Sequence, residues 1–150
     1  MIGLTREADG ALRIAWLLGK TDAQTDAGTI AAQTSLSPKF ALKILRKLSL
    51  GGVVTAQRGK NGGYRLAMAP KDISVRMLIE LLDGPIAINR CCDASYHCSR
   101  MGYEKQGCSF HCLFAAASER LASDLDRVTL DVMLREIDGT EKDQICFPKK

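Results

Sequence analysis

The stretch that begins at Asp26 constrains the fold more than any other part of the sequence. Residues 27–34 read AGTIAAQT, a short helix for which Asp26 is a candidate cap. Pro38 suits the first position of a second helix, with Ser37 as its cap, and this helix is predicted to run to about Leu50. A short helix, a tight turn and a second helix with basic outer faces are typical of a helix-turn-helix.

A glycine-rich hairpin is predicted directly after the second helix. Residues 53–57 and 64–68 have the character of strands, and RGKNGG joins them at residues 58–63. Glycines let the backbone approach DNA phosphates, Arg58 and Lys60 supply charge, and an arginine is long enough to enter a minor groove. The hairpin is therefore interpreted as a DNA-binding wing. An ordinary hairpin with solvated charges is the alternative that the same pattern allows.

Positive charge is concentrated in the first half of the chain. Residues 1–70 contain ten Lys and Arg against four Asp and Glu, a balance of +6, whereas residues 71–150 contain eleven against thirteen, a balance of −2. A basic module joined to a mildly acidic scaffold favours a nucleic-acid-binding protein. The sequence contains no evident nucleophile–base set or phosphate-binding loop, so we do not expect an enzyme.

Residues 91–112 hold five of the six cysteines and both histidines of the chain. Thiolates and imidazoles are ligands of zinc and of iron–sulfur clusters. Because this segment has little apolar surface to bury, its shape is expected to depend on what its cysteines bind. The residues alone leave three possibilities open: an iron–sulfur cluster, zinc, or a metal-free thiol switch.

Charged residues interrupt the beginning of the chain, so it lacks the continuous apolar core of a signal peptide. The residues that do so are Arg6, Glu7, Asp9 and Arg13. No apolar run is long enough to span a bilayer. We therefore expect a cytoplasmic protein without membrane association, in which thiols stay reduced.

Helices are also predicted on both sides of these elements. Apolar residues recur at helical spacing in residues 4–18 and 72–82, and Gly10 inside the first helix indicates close packing with a neighbour. A longer stripe occupies residues 113–138 and can begin as early as Ser109. It predicts one long helix that pairs with its copy in a homodimer, because two-fold dimers read palindromic DNA. Packing of the stripe entirely inside the monomer is the alternative.

Several stretches resemble one family of winged-helix repressors. These stretches are LTREADGALR, SPKFALKILRKLSLGGVV, QRGKNGGYRLA, DISVRMLIELLDGPI and LASDLDRVTLDVML, and together with the cysteine segment they cover the chain down to about Leu134. The family senses iron, iron–sulfur status or nitric oxide, and it is typified by the iron–sulfur cluster regulator and the nitric-oxide-sensitive repressor. The resemblance implies a transcriptional repressor whose affinity for its operator is switched by an iron–sulfur cluster.

The resemblance also implies a set of cluster ligands. Three cysteines of the segment bind the cluster in that family, together with a fourth ligand that is not a cysteine. The matched positions are Cys92, Cys98 and Cys108, with either His111 or the partner subunit's Asp9 as fourth ligand. Histidine would resemble the 2Fe–2S regulator, and aspartate the 4Fe–4S sensor. Cys91 and Cys112 are additional to the family pattern and remain alternates.

Matched positions imply a DNA contact surface as well. The residues implied at the recognition helix and the wing are Ser37, Lys39, Phe40, Lys43, Arg58, Gly62, Gly63 and Tyr64, to which the charge of Lys60 is added. Phe40 and Tyr64 have packing in the core as an alternative role. Leu42 stands where the cluster regulator has a glutamate, so the site preference of that regulator is not carried over.

The predicted fold is therefore mainly α with a small β-hairpin: a winged helix-turn-helix domain plus a long dimerisation helix. The predicted parts are the DNA-binding domain at 1–83, the cluster-binding loop at 84–112, the dimerisation helix at 113–138 and a flexible tail at 139–150. The expected partners are a palindromic double-stranded DNA operator and a second copy of the chain. The rival hypotheses are the same DNA-binding dimer with zinc or a thiol switch, and a redox or interaction protein that binds no DNA.

Overall fold

The structure, a computed structural model, describes residues 3–59, 62–93, 95–98 and 107–137. The expected tail at 139–150 and the wing residue Lys60 lie outside these ranges. Within them the fold is mainly α with one antiparallel hairpin, as predicted. The elements are α1 (Arg6–Thr21), α2 (Ala27–Gln33), α3 (Pro38–Leu50), β1 (Val54–Gln57), β2 (Gly63–Leu66), α4 (Val75–Asp83), α5 (Ser109–Arg127) and α6 (Leu130–Ile137), with single 3-10 turns at Pro70–Asp72 and Arg90–Cys92.

Local side-chain caps start the two helices of the helix-turn-helix. Asp26 accepts a hydrogen bond from the backbone N–H of Gly28 at 2.9 Å and caps α2. The Ser37 hydroxyl accepts from the N–H of Phe40 at 3.4 Å and caps α3, and Pro38 opens the first turn. Both predicted caps are confirmed.

The hairpin is attached to the helix-turn-helix by backbone hydrogen bonds. Strands β1 and β2 pair with Val54 opposite Leu66. Outside this pair, Thr25 exchanges two backbone hydrogen bonds with Tyr64, at 3.0 and 2.8 Å. A side chain at Gly63 would place its Cβ 2.6 Å from the carbonyl oxygen of Thr25, so glycine is required for this approach. The wing is therefore held against the start of α2.

Helix α1 extends further than the predicted range of residues 4–18. Gly19 does not end it; instead the chain leaves the helix at Asp22, which has the left-handed φ of 44°. Gly19 provides close packing, because a Cβ there would lie 2.8 Å from a methyl carbon of Leu134. Gly10 has the same role toward α3, since a Cβ there would lie 2.5 Å from Cδ1 of Ile44.

The predicted continuous helix over residues 113–138 is wrong, because two helices occupy this region. Val128 has an extended backbone and ends α5. Its carbonyl accepts from the N–H of Val75 at 2.9 Å, and the N–H of Leu130 donates to Ile73 at 2.8 Å. These bonds pull the chain onto the start of α4, and α6 then returns to α1, where Leu130 is buried.

The start of α4 also differs from the predicted range of residues 72–82. Asp72 belongs to a separate 3-10 turn, and Ser74 caps α4 by accepting from the N–H of Met77 at 3.1 Å. One core joins α1, α2, α3, α4 and α6; its largest fully buried side chains are Ile14, Leu18, Ile30, Ile44, Leu45, Leu48, Val53, Ile73 and Leu78. No helix in the described ranges is long and apolar enough to span a membrane.

Candidate functional site

Helix α3 presents a basic face opposite its buried face. Ile44, Leu45 and Leu48 are fully buried, which orients the helix about its axis. The opposite side forms an open groove, whose lining residues are Ser37, Lys39, Phe40, Leu42, Lys43 and Arg46. A basic helix face of this kind suits the phosphate-lined major groove of DNA.

Two of the predicted DNA-contacting residues also pack in the core. Phe40 and Tyr64 are partly buried against the core cluster. Tyr64 is additionally fixed by its backbone pairing with Thr25. Their packing alternative therefore has structural support, while Ser37 and Lys39 remain exposed on the groove.

The wing tip depends on its glycines. The N–H of Gly62 donates to the carbonyl of Gly59 at 2.9 Å, and a Cβ on Gly62 would lie 2.5 Å from the carbonyl oxygen of Gln57. Gly59 has φ +116°, which other residues rarely adopt. Arg58 is exposed beside this turn. Arg58 is thus exposed next to a tight turn that depends on Gly59 and Gly62.

Two lysines of α3 form ion pairs with a glutamate of α1. The sequence did not predict that this glutamate lies at the DNA surface. Glu7, in the first turn of α1, pairs through one carboxylate oxygen with Lys43 and through the other with Lys47 at 2.6 Å. Hydrogen bonds from Lys43 and then from Lys47 hold the pKa of the Glu7 carboxyl below its usual value. Their sequence separation, 36 and 40 residues, explains why no local pattern revealed the contact.

The cysteine segment contains a compact group of metal-ligating atoms. The Sγ atoms of Cys91 and Cys92 and a ring nitrogen of His111 all lie within 4.8 Å of one another. The 3-10 turn at Arg90–Cys92 presents the two thiols, and the first turn of α5 presents the imidazole. The segment is tied to α5 where the N–H of Ile88 donates to the Ser118 hydroxyl at 3.0 Å.

Crowded thiols and a buried imidazole nitrogen characterise this group. Burial, a hydrogen bond with Cys92 and the nearby Cys92 and Cys108 thiols raise the pKa of the Cys91 thiol. The Nδ1 atom of His111 is buried and has no hydrogen-bond partner among the described residues. A buried nitrogen without a partner is costly, and coordination by a metal would satisfy it.

The structure brings some of the predicted ligands together and leaves others apart. Cys92 and His111 come together, and Cys108 lies close enough to affect the Cys91 thiol. Cys91, an alternate in the prediction, is inside the group, whereas Cys98 is exposed and outside it. Asp9 forms an ion pair with Arg13 at 2.7 Å on α1 of its own chain.

The predicted alternate Cys112 is exposed on α5, one turn after the start of the helix. Its N–H donates to the carbonyl of Cys108 at 3.0 Å. The sequence does not predict the place of Cys91 in this group, because that place depends on how the turn at residues 90–92 packs against α5.

A helix-turn-helix with a basic outer face, followed by a glycine-tipped hairpin, defines a winged-helix DNA-binding protein. The family model of Rrf2, described as an iron-dependent transcriptional regulator, matches residues 4–136. The chain belongs to the Rrf2 family of transcriptional regulators. It is therefore a DNA-binding regulator of transcription and not an enzyme.

Individual proteins agree with this assignment. The chain is 34% identical over 106 residues to an rrf2-like HTH-type transcriptional regulator of Rhodobacter capsulatus, covering 70% of this chain and 71% of that protein. It is 28% identical over 111 residues to the HTH-type transcriptional regulator IscR of Aliivibrio salmonicida, covering 70% of this chain and 60% of the relative's length. The fold matches the solved structure of CymR, the global cysteine regulator of B. subtilis, with a TM-score of 0.72, 23% identity and coverage of 91% and 98% of the two chains.

Proposed function

We propose that this regulator binds a palindromic operator as a homodimer and that an iron–sulfur cluster on its cysteine segment switches its affinity for DNA. The observation that carries the proposal is the group formed by the Cys91 and Cys92 thiols and a ring nitrogen of His111, a residue whose Nδ1 is also buried without a partner among the described residues. Sulfur and imidazole donors at this separation are the ligands that such clusters use. The Rrf2 family model, described as iron-dependent, supports the same reading.

The proposed ligands are Cys92, Cys108 and His111, with Cys98 or Cys91 as the remaining thiolate. Cys112 is a further alternate thiolate, and the partner subunit's Asp9 is the alternate to His111. Histidine corresponds to a 2Fe–2S cluster and aspartate to a 4Fe–4S cluster. When bound, the cluster supplies iron that reacts with nitric oxide or oxygen and is lost when iron is scarce. The residues of this chain would hold the cluster in place.

The segment between α4 and the cysteines is suited to pass a change at the cysteines to the DNA-binding elements. Helix α4 packs against α1 and α3, and the chain runs from its end directly to the turn at Arg90–Cys92. Within this connection the N–H of Ile86 contacts Glu80 at 3.4 Å, and that of Ile88 contacts Ser118. A coupling free energy of about 1–3 kcal/mol is enough for a useful switch.

The proposed DNA contacts combine the α3 face with the wing. Lys39, Lys43 and Ser37 would contact DNA from α3, and Arg58 and Lys60 from the wing. Gly62 and Gly63 would let the wing backbone approach phosphates, and Phe40 and Tyr64 would support both elements from the core side. Arg58→Gln is expected to weaken binding and to reduce the slope of log K against log salt by about 0.9. Arg127→Gln, an exposed arginine on α5, is the matched control.

Absorption spectroscopy with iron and sulfide analysis of anaerobically prepared protein tests the cluster. We expect visible absorption that Cys92→Ala, Cys108→Ala and His111→Ala each diminish, and that Cys146→Ala, outside the segment, leaves intact. Separate Cys91→Ala and Cys98→Ala variants identify the remaining thiolate.

Two other outcomes would replace the hypothesis of an iron–sulfur cluster. Colourless, iron-free protein that contains stoichiometric zinc would support a zinc site, and metal-free protein whose DNA affinity responds to thiol oxidation would support a thiol switch. Absence of DNA binding by the wild-type protein, together with a reversible redox couple, would favour the redox or interaction protein instead.

A further inference from the structure

One carboxylate occupies two lysines of the proposed recognition helix. The Glu7 side chain is only 22% exposed and lies between Lys43 and Lys47, which are one turn apart on α3. It contacts each lysine with a different oxygen, so both oxygens of the carboxylate are used. The Glu7 carboxylate thus occupies the position between the two lysines that a DNA phosphate would otherwise take.

Lys47 is restrained from a second side. Its Nζ also donates to the carbonyl of Leu82, in the last turn of α4, at 3.3 Å. The neighbouring helix start is fixed too, because the backbone N–H of Thr5 donates to Asp83 at 3.3 Å. Glu7 therefore belongs to a polar corner in which α1, α3 and α4 meet.

The other basic residues on the α3 groove have no such acid. Within the described part of the chain, Lys39 and Arg46 form no ion pair, whereas Lys43 does although its side chain is 57% exposed. Helix α3 thus carries two basic residues without an ion pair to any described residue, Lys39 and Arg46, and two lysines that are already paired with an acid. Ion pairs that are partly open to solvent contribute only modestly to folding, so stability alone is an incomplete explanation for these two.

Competition decides what the ion pairs do when DNA approaches. A phosphate must displace the Glu7 carboxylate to bind Lys43 or Lys47, and random DNA offers only a generic phosphate in exchange. An operator offers additional base and wing contacts, so it alone can offset the loss of the ion pairs. The acid therefore keeps Lys43 and Lys47 out of non-specific complexes, whereas a complex that uses these lysines must offset the loss of the ion pairs.

We propose that Glu7 competes with DNA phosphates for the recognition helix: it keeps Lys43 and Lys47 from binding the phosphates of random DNA and releases them only at the operator. The proposal rests on the placement of α3 against DNA proposed above. It adds a repulsive element to the interface, supplied by a residue of α1.

Salt-dependent binding of Glu7→Gln to a random-sequence duplex tests the proposal. Two released lysines should steepen the slope of log K against log salt by about 0.9 to 1.8 and raise affinity for random DNA about tenfold near 0.1 M salt. Affinity for the best duplex selected by the wild-type protein should rise at least as much, because that complex no longer has to break the ion pairs, while its own salt slope stays the same. Glu119→Gln, an exposed acid on α5, changes the net charge equally and is the control.

A second variant keeps the test independent of the acid. Lys43→Gln/Lys47→Gln should leave the slope on random DNA within about 0.5 of the wild-type value, and it should abolish the gain produced by Glu7→Gln. An unchanged slope in Glu7→Gln, or a loss of about 1.8 in the lysine variant on random DNA, would overturn the proposal. If Lys39→Gln/Arg46→Gln binds DNA like the wild type, the placement of α3 itself is wrong.

Discussion

Single side-chain oxygens cap the first four helices of this protein. The hydroxyl of Ser74 accepts from the first-turn N–H of Met77 and donates to a carboxylate oxygen of Asp126 at 2.9 Å. One serine therefore both caps α4 and links it to the end of α5. Caps of this kind satisfy N–H groups that have no partner inside the helix.

Replacement of Ser74 by alanine is expected to destabilise the fold by about 1 kcal/mol, because the cap of α4 and its link to α5 are lost together. For a chain of this length that corresponds to a fall in Tm of about 3 °C. Differential scanning calorimetry measures it. Ser109→Ala is the control, since Ser109 lies inside the first turn of α5, after the capping position; an equal loss in both variants would contradict the capping role.

Acid should weaken the fold through three carboxylates. Hydrogen bonds from Lys43 and Lys47 lower the pKa of Glu7, hydrogen bonds from Thr29 lower that of Asp26, and the Thr129 hydroxyl and then Arg135 lower that of Asp131, from usual values of 4.5 for Glu and 3.8 for Asp. The folded state binds protons less readily than the unfolded chain, so this stability is complete above pH 4.5 and is lost as pH falls through the lowered pKa values.

Urea unfolding from about pH 6 to about pH 3 measures this effect. The wild-type midpoint should fall at the acid end. A variant with Glu7→Gln, Asp26→Asn and Asp131→Asn should start with a lower midpoint and show a flatter profile. A profile as steep as that of the wild type would assign the acid sensitivity to other groups.

At the scale of elements, close packing of α1 on α3 depends on a missing side chain. A methyl group at Gly10 would overlap with fully buried Ile44. Gly10→Ala improves helix propensity by about 1 kcal/mol, but overpacking of this kind costs about 1–3 kcal/mol. We expect a net loss of stability by urea unfolding. Gly3→Ala, where a Cβ meets no atom within 4 Å, should be neutral.

Elements with local causes could be predicted from the sequence. Asp26 and Ser37 lie within a few residues of the N–H groups that they cap. The wing glycines likewise lie inside the turn that requires them. The break between α5 and α6 was missed, because its cause is backbone pairing of residues 128–130 with residues 73–75. The apolar stripe continues across the break, so periodicity alone favoured one helix.

The candidate site could be predicted only in part for the same reason. The segment that carries the thiols is evident from composition, and His111 was placed among the candidates by resemblance. The preference for Cys91 over Cys98 in the observed group depends on tertiary geometry, namely the meeting of a 3-10 turn with α5. The contact of Glu7 with α3 joins residues that are far apart in sequence.

At the scale of the whole molecule, α5 has an apolar surface that the described chain does not cover. Phe110 and Leu113 are 62% and 60% exposed, and only Ser118 and Ala122 of this 19-residue helix are buried. Leu113→Gln is expected to raise the dissociation constant of the proposed homodimer about tenfold to a hundredfold, by analogy with burial of one leucine. Sedimentation equilibrium measures this.

The control for that experiment is Leu50→Gln. Leu50 is 80% exposed at the end of α3 and is a leucine of equal size outside α5. An equal effect of both substitutions, or a monomeric wild-type protein at micromolar concentration, would contradict pairing through α5.

The pairing of residues 128–130 with residues 73–75 joins α5 and α6 to the start of α4, and we expect these elements to unfold together. Leu130 and Leu134 complete the core beneath α1, so a fragment ending at residue 83 would expose the apolar surface that they cover. The amide protons of Val75 and Leu130 should consequently exchange with deuterium at one common rate, set by global unfolding. A DNA-binding domain that unfolds only together with α5 and α6 would thereby be coupled to the cysteine segment, which lies between α4 and α5.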